Sequence, residues 1–251
     1  MEFILAEVEW RQHRTSMGSS WGEIILNRPE RKNAITGPLG SHLTEALNKL
    51  GGDPDVQAIL LRGAQGAFCS GLDVKAFNAD PAPDWLEGFQ DTWRATHLAL
   101  FNCSVPIIGA LERYGINGGA ALAFACDYLI AGEQAFVQVG EVQIGMAAPY
   151  NLAWLNLRHS EAVVAELALI GDRITSQDMV RLGLANQAVA DGTVTATATA
   201  LCERMADFPK GAPRNLKKVL RARLLETPEA WFDRHKAAAR PGQPRAMAST
   251  G

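Results

Sequence analysis

The sequence predicts an α/β fold, and three observations carry that expectation. Short apolar runs such as "VQAILLRG" and "VPIIGAL" alternate with longer segments whose leucines and alanines recur at helical spacing. Glycine-bearing loops directly follow two of those runs, the positions where an α/β protein brings backbone against a ligand. The last third turns helical and ends in a polar, proline-bearing tail.

The 251 residues suit one large domain, or one domain plus a small appendage, and 47% hydrophobic content is ample for a core. A formal charge of −3 with a pI near 6.0 gives no electrostatic basis for binding nucleic acid or an anionic membrane. No run of 18 apolar residues occurs, so no membrane span is expected. Cys69, Cys103, Cys126 and Cys202 are scattered without a C-x-x-C pair, which fits reduced thiols in a cytoplasmic protein. The opening "MEFILAEVEWRQHR" lacks the basic start and apolar run of a signal peptide.

Taken in order, "EFILAEVEW" and "GEIILNRP" read as strands. Between them "GSSWG" matches the nucleophile-elbow pattern, but polar residues precede it and a strand follows, which is the setting of a hairpin turn. "TGPLGSHLTEALNKL" is a helix with Leu39, Leu43 and Leu47 on one face, and "VQAILLRG" is a buried strand. "NADPAPD" is a proline-rich loop. A helix is expected over 84–102, then the strand "VPIIGAL" and the buried helix "AALAFA". "DYLIAG" and "AFVQV" are short strands. Helices follow at 160–171 and 175–183, each closed by a glycine, and again at 193–208 and 212–226. The expected division is a core at 1–195, a helical region at 196–239 and a disordered tail at 240–251.

Two loops concentrate the chemistry. In "YGINGGAALAFACD" the doublet Gly118-Gly119 opens a helix, whose free N–H groups carry the positive end of its dipole. "AFCSGLDVK" is the second. Two backbone donors from two strand ends would make an oxyanion hole; two tight turns are the alternative at this point.

The segments "NRPERKNAI", "AFCSGLDVK", "INGGAALAFACDYLIA", "VGEVQIG" and "ALIGDRITSQDMVRLGLANQAV" follow one another in the order and spacing of the crotonase (enoyl-CoA hydratase/isomerase) family, which the chain resembles from about residue 20 to about residue 215. The resemblance implies a superhelix of strand–strand–helix turns, with the C-terminal helices building a homotrimer or a dimer of trimers. It also implies an acyl-CoA thioester substrate, no cofactor beyond the coenzyme A of that substrate, no metal, and an enolate held by two backbone N–H groups. By position those donors are Leu72 and Gly118. Gly71, Asp73, Val74 and Lys75 match the segment that wraps the coenzyme A moiety, Gly119 accompanies Gly118, and Arg31 and Lys32 lie in a second such loop.

Hydratases of the family use two glutamates. The first falls here on Ala121, which cannot move a proton; the second falls on Glu141, whose neighbours Val139 and Val142 point to burial. One carboxylate plus an oxyanion hole is the equipment of a 3-enoyl-CoA isomerase. The dienoyl isomerases add an aspartate where this chain has Pro149, which argues against that activity. Where the family often has a glycine-rich turn this sequence reads "GMAAPYN", so Tyr150 and Asn151 are candidates to line an altered acyl pocket. Glu112 and Arg113 replace the usual Asn-Gly and are expected to pair at the surface. Two other readings stand beside the isomerase: a hydratase whose second acid comes from the 78–84 loop, and an acyl-CoA-binding protein without turnover.

Overall fold

The computed structural model describes the backbone of residues 2–5 and 7–239 and the side chains of 7–239; the tail expected at 240–251 lies outside them. Among the described residues the strands are β1 (Glu2–Leu5), β2 (Val8–Arg14), β3 (Ser20–Leu26), β4 (Val56–Gly63), β5 (Ile107–Leu111), β6 (Tyr114–Ile116), β7 (Tyr128–Gly132), β8 (Phe136–Gln138), β9 (Arg173–Thr175) and β10 (Gln187–Val189). The helices are α1 (Gly37–Gly52), α2 (Val74–Phe77), α3 (Phe89–Asn102), α4 (Gly118–Ala125), α5 (Pro149–Arg158), α6 (Glu161–Ala168), α7 (Ser176–Arg181), α8 (Val194–Ala206), α9 (Ala212–Arg221) and α10 (Pro228–Ala238).

Seven strands form one sheet in the order β1-β2-β3-β4-β5-β7-β10, and β6-β8-β9 form a second. β1 to β3 pair antiparallel, so "GSSWG" does close a hairpin, and pairing from β3 through β10 is parallel. Strands alternate between the sheets: β5 and β7 lie in the large one, β6 and β8 in the small one, with α4 between the pairs. That is the strand–strand–helix rhythm expected from the sequence.

The central strands are buried on both faces, which is why they read as continuous apolar runs. Because successive side chains alternate, Ile59, Leu61 and Ile107 enter the main core, under α1, α3, α4 and α5. Ala58, Leu60, Ile108 and Ala110 point the other way, onto Val194, Ala198 and Cys202 of α8. The first helix of the expected C-terminal region therefore closes the second face of the sheet.

α1 starts where Thr36 accepts the Leu39 N–H at 3.2 Å, and buries Leu39, Leu43, Ala46, Leu47 and Leu50 along one stripe. α3 begins at Phe89 rather than at 84: Gly88 caps it, and Trp85 turns back onto the bare backbone of Gly37, where a Cβ would meet the indole at 2.9 Å. α5 and α10 escaped the sequence reading. Both open with proline in the first turn, which ends a strand or loop but suits a helix start, and Thr227 caps α10.

The C-terminal helices are pinned to the core by one carboxylate. Asp127 is reached by Lys217 at 2.7 Å and Arg221 at 2.6 Å from α9, and by Arg158 at 3.5 Å from α5, while it accepts the Ile107 N–H at 2.9 Å. Burial alone would raise its pKa, but the three cations outweigh burial and hold the group ionised. Glu112 and Arg113 do not pair: Glu112 accepts from Thr195 at 3.1 Å, and the Arg113 guanidinium lies over Gly66. α8 supplies a nearer partner than the adjacent side chain.

Candidate active site

The loop after β4 and the β6–α4 junction are joined through their backbones. Cys69 N–H donates to Tyr114 O and Ile116 N–H to Cys69 O, both at 3.1 Å, so the two strand ends run side by side. Gly71 and Gly119 let them close. Gly71 has φ +90°, and a Cβ there would sit 2.9 Å from Ile116 O; a Cβ on Gly119 would collide with the Cys69 carbonyl. All four cysteines are buried free thiols, and Cys69 is pushed up to about 12 by burial, which leaves it inert as a nucleophile.

Leu72 bridges Ile35 in parallel pairing. Ile35 N–H donates to Gly71 O at 2.8 Å and Asp73 N–H donates to Ile35 O at 2.9 Å. Those flanking groups face Ile35, so the N–H of Leu72 itself is turned the other way. Gly118 is the first residue of α4, where an N–H has no helical acceptor. Neither the Leu72 nor the Gly118 N–H donates a hydrogen bond among the described residues. Their peptides are neighbours, since a Cβ on Gly71 would lie 3.5 Å from the Cβ of Asn117.

Asn117 aims the second donor. Its backbone, at φ 51° and ψ −115°, is one that side-chain-bearing residues seldom adopt, and four bonds hold it there. Its N–H donates to Gln138 O at 2.7 Å, and its side-chain oxygen accepts the Gly140 N–H at 2.8 Å. Its carbonyl accepts from Ala121 N–H and from Asn151 Nδ2, each at 3.1 Å. The sequence reading passed over Asn117, although an asparagine before a glycine pair is itself a signal for left-handed backbone.

Glu141 lies in a single tight turn, Gly140–Ile144, after β8 and is 8% exposed. Val139 is buried as expected, whereas Val142 is exposed; the turn buries the acid without burying its successor. Oε1 accepts from Asn151 Nδ2 at 2.9 Å, and Oε2 is buried without a partner. Burial drives the pKa up to about 7, against the opposing pull of its own backbone N–H and of Asn151. A carboxylate poised near neutrality is suited to taking and returning a proton.

Ala121 is fully buried one turn into α4 and brings no polar group. Tyr150 is buried, its ring stacked on His97 at 4.2 Å between centroids and set edge-on to Trp93 at 6.4 Å. A Cβ on Gly118 would lie 3.6 Å from that same Trp93, so Tyr150 and Trp93 form the apolar side of the region. The Trp154 indole donates to His97 Nδ1 at 2.9 Å, and burial lowers the imidazole to about 3; His97 is therefore neutral, with its proton on Nε2.

The remaining candidates divide. Val74 and Lys75 open α2 at the surface, and Lys32 is exposed beside them, its carbonyl accepting the Ser70 N–H at 3.2 Å. Asp73 and Arg31 instead engage each other. The buried Asp73 carboxylate takes Arg31 at 2.7 Å and Arg28 at 3.0 Å and caps α2 by accepting the Ala76 N–H. The bond from Arg31 leads the effects that hold Asp73 well below the usual carboxylate range. Arg28, missed in the sequence, completes this brace between the two loops. Among the described residues no group of three or more His, Cys, Asp or Glu is placed to hold a metal ion, and no helix is long and apolar enough to cross a membrane.

Comparison with known proteins bears on this arrangement. The family model described as enoyl-CoA hydratase/isomerase matches residues 17–237. A probable enoyl-CoA hydratase of Mycobacterium tuberculosis is 33% identical over 208 residues, covering 81% of this chain and 77% of that protein. A carnitinyl-CoA dehydratase of Proteus mirabilis is 32% identical over 213 residues, 84% of this chain and 80% of that one. Among solved structures, an enoyl-CoA hydratase/isomerase from Xanthobacter autotrophicus superposes with a TM-score of 0.80 at 26% identity, over 94% of this chain and 85% of that one. By the family match over most of its length and these similarities in sequence and fold, the chain belongs to the enoyl-CoA hydratase/isomerase, or crotonase, family.

Proposed function

We propose that this acyl-CoA enzyme moves a double bond, converting a 3-enoyl-CoA to a 2-enoyl-CoA with Glu141 as its single base. The observation that carries the reading is the contrast between two positions. Glu141 is buried with a pKa near 7 and a free oxygen, while Ala121 offers nothing to hold or activate a water. Glu141 Oε2 takes a proton from C2, and the electron pair moves into the thioester to give a dienolate. Leu72 and Gly118 N–H groups stabilise the oxyanion, and the same proton returns at C4 as the double bond settles between C2 and C3. Neither water nor a second acid enters that sequence.

Around this centre, Gly71, Val74, Lys75, Arg31 and Lys32 are assigned to the coenzyme A side, with the Asp73 brace holding their loops together. Trp93 and Tyr150 are assigned to the acyl side. Helices α9 and α10 are the proposed assembly surface: Leu216, Val219 and Leu220 of α9 are exposed apolar residues on a helix otherwise rich in basic ones. A cytoplasmic setting fits the four free thiols.

The second reading, hydration with a relocated acid, draws on the relatives named hydratase and dehydratase. Against it, Asp80 and Asp84 of the 78–84 loop lie exposed in solvent. A poised Glu141 with one buried oxygen left free also weighs against a protein that only binds. The deciding experiment is a turnover screen with 2-enoyl-CoA and 3-enoyl-CoA substrates of short and long chain. Isomerisation well above hydration is expected; efficient crotonyl-CoA hydration would overturn the single-base assignment.

A further inference from the structure

We infer that Asn151 is the positioning residue of the active site, one amide that fixes which oxygen of Glu141 acts as base and locks that base to the peptide carrying the Gly118 donor. The inference rests on Glu141 being the base, and deepens that reading.

The geometry is specific. Asn151 Nδ2 donates to Glu141 Oε1 at 2.9 Å and to Asn117 O at 3.1 Å. Both partners are acceptors, so the nitrogen must face them; the flipped amide would set oxygen against two oxygens. Both amide hydrogens are thereby used. The carboxylate is left with one oxygen held and one, Oε2, buried and free to receive a proton. The second bond reaches the carbonyl of Asn117, whose unusual backbone conformation aims the next N–H, that of Gly118. A single rigid side chain therefore spans base and oxyanion hole, and Asn151 itself is only 2% exposed. It is fixed in turn because α5 starts two residues earlier, at Pro149, and buries Tyr150, Ala153 and Trp154 beside it.

The same contact sets the charge state. Glu141 has no charged neighbour acting on it: burial raises its pKa, and only its own N–H and the Asn151 amide oppose that. Tyr150, on the same helix, is itself pushed up to about 12 by burial and stays neutral. Removing the Asn151 donor leaves burial with less opposition, so the base is protonated over a wider range of pH.

The test is infrared titration of the Glu141 carboxyl, taken as the difference between each protein and its own Glu141→Gln counterpart. Asn151→Leu keeps the approximate size and removes the donor; Asn151→Asp keeps the shape but exchanges the donor for a second carboxyl that repels the Glu141 charge; Asn151→Ser keeps a donor. Wild type is expected to titrate near 7. For Leu the midpoint is expected to rise by about one pH unit, the size of one lost hydrogen bond to a charge, and for Asp by at least as much, because two adjacent carboxyls resist ionising together. The acidic limb of kcat/KM should move with it, kcat of the Leu variant should fall about fivefold at pH 7, and KM should stay put. Ser should retain part of the wild-type midpoint. An unmoved midpoint in Asp and Leu overturns the inference, and so does failure of all three variants to fold, which would make Asn151 purely structural. The titration needs no turnover. Shifted midpoints in a protein that converts no enoyl-CoA would sink the functional reading and keep the positioning role; unshifted midpoints in an active isomerase would do the reverse.

Discussion

The side-chain oxygen of Asn117 accepts the backbone N–H of Gly140 at 2.8 Å, so the residue before Gly118 grips the residue before Glu141. This bond stabilises a backbone that costs on the order of 1–3 kcal/mol to hold. Asn117→Ala should lose both the grip and the tolerance for positive φ, lowering stability and cutting kcat. Asn117→Gly should recover stability but not kcat, because the donor is then less firmly aimed. Its loss should stay within the roughly 10²–10³-fold that removing one oxyanion donor costs. Thermal melts beside steady-state kinetics of the two variants check this; equal kcat in Asn117→Gly and wild type would contradict it.

The two helix-opening glycines should differ sharply. A Cβ on Gly118 would meet Ile35 Cδ1 at 2.8 Å, the end of a side chain that can swing aside. A Cβ on Gly119 would collide with the Cys69 carbonyl and lie 2.9 Å from its carbon, and that backbone is fixed by β-type bonds on both sides. Gly119→Ala should therefore cost about 1–3 kcal/mol or more, the usual range for forced overpacking, and Gly118→Ala clearly less. Urea unfolding of the pair tests the ordering.

How far the site was legible in the sequence follows from which interactions are local. The residues themselves marked only two glycine-bearing loops, where close backbone contact dictates glycine; Leu72, Gly118 and Glu141 were picked out by their positions in the family resemblance. Continuous apolar runs likewise exposed β4 and β5, which are buried on both faces. Asn151 was named only as a pocket candidate, because its two partners are 34 and 10 residues away and its helix opens with a proline that reads as a turn. Asp73 read as a ligand-facing acid; its pairing with Arg28, 45 residues distant, is a tertiary fact that no local pattern encodes.

Asp127 should behave as a folding staple. Asp127→Asn leaves Lys217, Arg221 and Arg158 near one another without their anion, and breaking such a buried network should cost about 3–5 kcal/mol. Its folded pKa is lowered, so its stabilisation is present above the ordinary aspartate range and is lost as pH falls through the folded value. The gap in melting temperature between wild type and Asp127→Asn should therefore narrow on acidification. A gap independent of pH down to acid unfolding would contradict the network.

Glu141 carries the opposite sign. Its folded pKa is raised from 4.5 to about 7, so folding is penalised for its charge as pH rises through that window. Glu141→Gln should gain stability relative to wild type between pH 5 and 8, by up to about 3 kcal/mol. Differential scanning calorimetry of both proteins across that range gives the comparison. A constant difference would mean that the carboxyl is not buried as described.

The central claim is that one carboxylate performs the proton transfer, and the initial rate of 3-enoyl-CoA isomerisation in wild type and Glu141→Gln tests it most directly. The amide keeps the shape of the side chain and its place beside Asn151 but cannot accept the proton. The rate is predicted to fall about 10²–10⁴-fold with acyl-CoA affinity little changed; isomerisation at near wild-type rate would show that the base lies elsewhere.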